Sequence, residues 1–281
     1  MSPVDSTTLR RGVLTAVALG CAAVVLLGIA GSEPTTPTPH GATPGSNVGP
    51  WHLVGLGDSI TSGAGCPGCT NFVDLYAHDI TDATAVPVGV TNLGVPGWTS
   101  TDLLTSLSDP TTVGTVAEAD IVVVTIGAND FLPMLDPALS GQCGGADGLS
   151  CFDSALGTLH DNLTAILDRI RELRGGRPTA VRVTGYWNVF LDGHVADATY
   201  GPLFQRASGA LTQRVNATIQ GVADAEKATY VDLYTPFKGP GGDDDDTPLL
   251  APDGDHPSQG GHQEIAEALT AAGLAPLRGG R

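Results

Sequence analysis

Positive charge is scarce in this chain. Its 281 residues hold 13 Lys and Arg against 30 Asp and Glu, a formal net charge of −17. Residues 1–50 balance Arg10 and Arg11 against Asp5 and Glu33, so the whole excess falls on residues 51–281. No basic helix or stripe offsets it, and such a surface repels phosphate backbones, which excludes nucleic acid as an expected partner. No period of 20–50 residues recurs, so a repeat array is not indicated. What is plentiful is apolar residues at 41%, with 38 Gly and 20 Pro. That mixture describes a globular, loop-rich chain, not a disordered one. After the first 50 residues, about 230 remain, enough for one large core and too few for two comfortable domains.

Charge is missing altogether from residues 13–30 (VLTAVALGCAAVVLLGIA), which follow Arg10 and Arg11. A positive flank and an apolar run predict a secretory signal peptide or an N-terminal membrane anchor over residues 1–30. Gly28 and Ala30 would serve a cleavage after Ala30. Cys21, deep inside the run, is read as a small membrane residue and not a lipidation site. Residues 31–50 are Pro, Thr and Gly without an apolar period, the signature of an extended linker. The folded domain is therefore expected over 51–281, secreted or anchored on the outer face of the cytoplasmic membrane, with residues 13–30 as the candidate tether.

Export leaves Cys66, Cys69, Cys143 and Cys151. An even count at close pairwise spacing points to two disulfides, with Cys66–Cys69 and Cys143–Cys151 the expected pairs among three connectivities. A four-thiolate zinc site is the weaker reading, since thiolates outside the cytoplasm are usually oxidised. A redox role for CPGC is weaker still, because the motif lies in a Gly-rich loop and does not open a helix.

Along the chain, strands are expected at 51–57, 86–93, 120–127, 177–186 and 228–233, helices at 71–83, 152–174, 203–224 and 258–273, and two short helical pieces over 101–119. The unbroken run DIVVVTIG (120–127) suits a strand buried on both faces of a parallel sheet. Strands alternating with helices define an α/β class, a three-layer α/β/α sandwich around a mainly parallel sheet of about five strands. In such sheets, ligands sit at the carboxyl ends of the strands.

Four short segments fall just there. Gly57-Asp58-Ser59-Ile60 ends the first strand and can present a hydroxyl over the sheet edge, although a Ser in a turn is commonly a cap. Asp253-Gly254-Asp255-His256 precedes the last helix. A catalytic Ser needs a base, and the base needs a partner to fix its tautomer, which is what His256 and Asp253 can supply. Gly127-Ala128-Asn129-Asp130 follows the central strand, where Asn129 can offer an uncharged N–H to a developing oxyanion. Asn92-Leu93-Gly94-Val95-Pro96-Gly97 follows the second strand, and Gly97 has no side chain to block its own N–H. A flavodoxin-like phosphate loop at DSITSGAG competes with this reading but leaves His256 and Asp253 without a purpose.

Together these four motifs resemble the SGNH (GDSL-type) hydrolase family, over essentially all of residues 51–275. The segment TGYWNVFL (184–191) also looks like secreted actinobacterial members. The resemblance implies a flavodoxin-like sandwich and a serine esterase or lipase, with Ser59 as nucleophile, His256 as base and Asp253 as its partner. It further implies an oxyanion hole made of the Ser59 and Gly97 N–H groups and the Asn129 amide. The rival α/β-hydrolase elbow G-x-S-x-G is absent, for no Ser here has Gly at both −2 and +2. The expectation is an exported, monomeric serine ester hydrolase acting on a small-molecule carboxylic ester, with no metal site and no cofactor. A carbohydrate O-acetyl esterase of the same fold, and a non-catalytic flavodoxin-like binding domain, stand as alternatives.

Three further features have bland readings beside functional ones. Asp243–Asp246 is expected to be a solvated loop more than a calcium site. Trp98, Trp187 and Phe190 can line a pocket or simply pack. His52, His78, His160, His194 and His262 are assigned structural roles, and the loop 131–151 is read as a pocket loop closed by Cys143 and Cys151.

Overall fold

The computed structural model describes residues 49–277, so the apolar run 13–30 and nearly all of the 31–50 linker lie outside the described residues. Five strands form one sheet: β1 (Trp51–Gly57), β2 (Val88–Gly94), β3 (Ile121–Thr125), β4 (Ala180–Thr184) and β5 (Thr229–Val231). Their order is β2-β1-β3-β4-β5 and every pairing is parallel. Leu53 of β1 stands opposite Val90 on one side and Ile121 on the other. All five residues of β3 are buried, as an Ile-Val run with no polar face requires.

The helices are α1 (Ser59–Ser62), α2 (Phe72–Thr84), α3 (Ser100–Ser106), α4 (Pro110–Glu118), α5 (Leu135–Leu139), α6 (Asp153–Arg174), α7 (Gly193–Thr199), α8 (Pro202–Ala225), α9 (Tyr234–Lys238) and α10 (Gln259–Ala271). One group is α2 packed on α10, and another is α6 packed on α3, α4 and α8. Helix, sheet and helix make the three-layer α/β sandwich. Local chemistry sets the ends of these helices. Asn71 caps α2 by accepting from the Val73 and Asp74 N–H groups at 2.9 and 3.2 Å, freeing neither for solvent. Along α6, Leu159, Leu163, Ile166, Leu167 and Ile170 repeat at three and four and are all buried, and Gly175 stops the helix in the left-handed region.

The strand order reverses between β1 and β3: the chain leaves β1 toward β2 on one flank and returns to β3 on the other. The loops after these two strands diverge, and a crevice opens at their carboxyl ends. Ser59 and Asn129 are the residues that follow β1 and β3.

Two expectations change. The segment 131–151 is not plain loop, because α5 forms in it, and α1, α7 and α9 are likewise too short to show a helical period. The acidic run is not wholly solvated either. Asp243, Asp244 and Asp245 are exposed, but Asp246 turns inward and is buried with Lys238, whose Nζ lies 3.4 Å from Asp246 Oδ2 and 2.9 Å from Asp192 Oδ2. Burial, with Asp192 nearby, pushes the Asp246 carboxyl up to about 7. Among the described residues no group of three or more His, Cys, Asp or Glu side chains is placed to hold a metal ion.

Candidate active site

Ser59 is the first residue of α1, directly off the end of β1. Asp58 caps that helix through Oδ1, which accepts from the Ile60 N–H at 3.0 Å. The Ser59 N–H is one of the first-turn donors that a helix leaves unpaired. Asp58 is also bound from above the sheet. Its Oδ2 accepts the Tyr186 hydroxyl at 2.9 Å, and that hydroxyl in turn accepts the Ala128 N–H at 3.3 Å. One buried phenol therefore pins the ends of β1, β3 and β4 together beneath Ser59. Burial is the main reason the Asp58 carboxyl is pushed up to about 7, with the Ile60 and Tyr186 bonds opposing it and Asp255 adding to it.

His256 and Asp253 sit in the turn between β5 and α10. Asp253 Oδ1 accepts the N–H groups of Asp255 and His256, each at 3.0 Å, which folds the turn around the carboxylate. Its Oδ2 lies 2.8 Å from His256 Nδ1. A carboxylate can only accept, so Nδ1 carries a proton, and in the neutral ring Nε2 has a free lone pair. Partial burial raises the Asp253 carboxyl, but the two N–H groups and the ring outweigh it and hold it below the ordinary range. It is ionised at neutral pH. Asp255 is farther away, with Oδ2 3.9 Å from Nδ1, and burial pushes its carboxyl up. His256 Nε2 is buried and without a partner, and no hydrogen bond joins it to Ser59. In ligand-free sites such bonds are commonly long and tighten when substrate binds.

The cover on this pair comes from the loop between α1 and α2. Gly65 has φ of 80°, and a Cβ there would stand 2.4 Å from His256 Cβ and 2.9 Å from Asp253 Oδ2. Only glycine fits both the backbone and the space. The Cys66–Cys69 disulfide closes the same loop, with Cα atoms 5.5 Å apart, and a reciprocal amide pair between Thr70 and Gln259 ties it to the start of α10.

Across the crevice, Gly97 occupies the third position of the turn Val95-Pro96-Gly97-Trp98, closed by the Trp98 N–H on the Val95 carbonyl. Its φ of 83° with Pro before it is a type II turn, so the turn itself demands glycine; a Cβ there would touch nothing within 4 Å. Asn129 donates one Nδ2 hydrogen to the Trp98 carbonyl at 2.9 Å, which leaves the second for another acceptor. The next residue repeats the tie. Asp130 accepts the N–H and hydroxyl of Ser100 at 2.9 and 2.5 Å, and Asn162 donates to that hydroxyl. Gly97 and Asn129 are thus held as one unit.

Ser59, Asn129 and Asp255 line one small cleft, of about 60 Å³, floored by Asp58 and Tyr186 and walled by Phe190. The sequence motifs singled out Ser59, Gly97, Asn129, Asp253 and His256. They did not reveal Gly65, Tyr186 or Asp130 as supports, since each acts through a contact distant in sequence. Asn92 is structural: it donates to the Thr61 carbonyl at 2.7 Å and accepts from Gly94 N–H. Trp187 stacks on Phe237 at 4.3 Å, and Cys143 is bonded to Cys151. His262 is fully buried against Phe72, and burial first, His256 second, lowers its ring to about 4.

A parallel sheet with this crevice and these motifs is the architecture of an acyl hydrolase. Residues 56–264 match the GDSL-like lipase/acylhydrolase family, and the chain belongs to that family. It is similar to the spore germination lipase LipC of Bacillus licheniformis, 27% identical over 230 residues, 80% of this chain and 97% of that protein. Among solved structures it resembles the lipase Lip_vut3 from goat rumen metagenome, with a TM-score of 0.67 and 23% identity over 81% of this chain and 99% of the other. It also resembles the acetylxylan esterase Axe2 of Geobacillus stearothermophilus, with a TM-score of 0.57 and 18% identity over 81% of this chain and 95% of that one. Membership makes the protein a carboxylic ester hydrolase and sets aside the flavodoxin-like binding domain.

Proposed function

We propose that the protein is an exported serine esterase that works through an acyl-enzyme. Ser59 Oγ attacks the ester carbonyl while His256 Nε2 takes its proton, and Asp253 steadies the imidazolium through Nδ1–H. The tetrahedral oxyanion is met by the N–H groups of Ser59 and Gly97 and by the free Asn129 N–H. As the intermediate collapses, His256 returns the proton to the departing alcohol oxygen, leaving the acyl group on Ser59. Water, deprotonated by the same imidazole, then releases the acid and restores the hydroxyl.

The observation that carries this reading is the Asp253–His256 contact of 2.8 Å, with a lone pair left free on Nε2, in a chain whose Ser59 follows β1 in the GDSI motif. Export is supported by Arg10 and Arg11 before the apolar run 13–30, and by the pairing of Cys66 with Cys69 and Cys143 with Cys151. The test is covalent labelling. The disulfide-bonded protein takes up one fluorophosphonate per chain, and Ser59→Ala takes up none; labelling that survives the substitution sinks the assignment. Fractionation of cells making the full chain, with sequencing of the mature N-terminus, tests export and separates a cleaved signal from an anchor.

A further inference from the structure

The chain is poor in aromatics, with 6 Phe among 281 residues, yet four of them fall in one continuous series. Phe131 faces Phe152, Phe152 faces Phe190 and Phe190 faces Phe204, each at 6.2 Å between ring centres, and Tyr200 closes the series on Phe204 at 4.4 Å. It runs from Phe131, two residues past Asn129, to the start of α8. Beside it lies a cavity of about 320 Å³ between α5 and α8, walled by Leu135, Leu149, Phe152, Phe190, Phe204 and Leu211. Leu135 and Phe190 also wall the cleft over Ser59, so the two spaces adjoin.

The rim of this cavity is apolar as well. Four large hydrophobic side chains stand out among the described residues as exposed: Leu132 at 49%, Leu139 at 44%, Tyr200 at 38% and Leu203 at 73%. Single exposed leucines are ordinary. Here, however, three of the four line the cavity and Leu132 lines the adjoining cleft, and a gathered apolar mouth marks a binding surface.

A second cavity shares Asn188 with the cleft, and its lining is strongly acidic. That cavity, of about 650 Å³, is lined by Asp192, Asp197 and Asp243–Asp246, against Arg206 and Lys238. An alkyl chain laid there would strip water from carboxylates, and the apolar contacts it gained would come from Trp187, Pro202, Ala210 and Tyr234, set among those charges. The two sides of Ser59 therefore differ in kind.

We propose that the cavity between α5 and α8 is an acyl-chain subsite, so that the preferred ester carries a medium-length alkyl acyl group, with its alcohol directed to the acidic side. This rests on the serine-esterase reading above and names its substrate class. The volume sets the length: a water takes about 30 Å³ of liquid and a methylene is of similar size, so roughly ten groups fill the space.

The experiment is a chain-length series of p-nitrophenyl esters, from acetate to palmitate, on the full disulfide-bonded chain, with fluorophosphonate labelling alongside. Each methylene buried is worth about fourfold at most, so kcat/KM should rise two- to fourfold per methylene to about eight or ten carbons and then level or fall. Ala207 is an exposed wall residue, and Ala207→Phe should fill the subsite and cut the octanoate-to-acetate ratio at least tenfold. Leu139→Asp, at the exposed rim, should lower the same ratio by an independent route. A profile that peaks at acetate, or faster cleavage of acetylated xylo-oligosaccharides than of octanoate, with Ser59 still labelled, overturns the subsite and leaves the esterase reading standing. The native ratio in both variants overturns it equally. Absence of both labelling and hydrolysis overturns the two together.

Discussion

Gly65 lies flat against His256: a Cβ at the glycine would stand 2.4 Å from the histidine Cβ and 2.7 Å from its Cγ. The loop that crosses the imidazole is therefore part of the site, because it fixes one side of the ring and excludes water from it. Gly65→Ala should lower kcat at least tenfold while KM moves only a few-fold. Gly68 is the control in the same disulfide-closed loop, with φ of 92° and nothing within 4 Å of its missing Cβ. Both alanines bear the left-handed backbone cost of about 1–2 kcal/mol; Gly65→Ala adds the clash with His256, so its melting temperature should fall further, and only Gly65→Ala should lose turnover at a temperature where both variants stay folded. Equal kcat in the two variants would remove the loop from the mechanism.

The turn around Asp253 makes a sharper distinction between neighbours. Asp253 reaches Nδ1 at 2.8 Å and Asp255 stops at 3.9 Å. His256→Ala should cost about 10⁴ in kcat. Asp253→Ala should fall short of that, and Asp255→Ala should stay within about tenfold of the native enzyme. Steady-state kinetics on one soluble ester decides it: a crippled Asp255→Ala beside a near-normal Asp253→Ala reverses the assignment.

Asn129 spends one amide hydrogen on the Trp98 carbonyl and keeps the other. Its contribution should appear when charge develops on the carbonyl oxygen and not when substrate binds. Asn129→Ala should lower kcat by about 10²–10³ with KM within a few-fold. A rise in KM alone would make it a substrate contact.

Asp58 gives a prediction about pH and stability. Burial raises its carboxyl from 3.8 to about 7, so the folded protein binds a proton there that the unfolded chain has already released. This group's stabilisation is complete below about pH 4 and is lost as the pH climbs through 7, to a limit of about 4 kcal/mol. Asp58→Asn keeps a capping side chain and removes the titration. Its melting temperature relative to the native protein should therefore rise between pH 4 and 7, in a series of calorimetric scans. Asp246, raised to about 7 as well, leaves a residual slope in the variant. A difference that stays constant across that range would show that Asp58 does not titrate there.

The long elements could be read in the sequence because their periods are strong: the IVVVT run of β3 and the three-and-four spacing of α6 each admit one solution. The candidate site residues were legible because each lies in a short motif: Ser59, Gly97 and Asn129 soon after strand ends, Asp253 and His256 just ahead of α10. Their supports were not, since Tyr186 meets Asp58 and Gly65 meets His256 only after the chain has folded back on itself. Gly97 shows the limit from the other side. Its sequence signal is that of a type II turn, and the turn would need glycine even with no oxyanion to bind. The buried Asp246 escaped because a run of four aspartates reads as solvated, and only Lys238, brought alongside by α9, makes one of them internal.

Ser59 comes near the start of the folded chain and His256 near its end, in the turn that leads into α10, which docks on α2. During synthesis Ser59 emerges almost 200 residues before its proposed base, so the proposed pair can come together only after residue 256 has been made and α10 can dock on α2. A chain cut short before that turn would carry the proposed nucleophile without its proposed base.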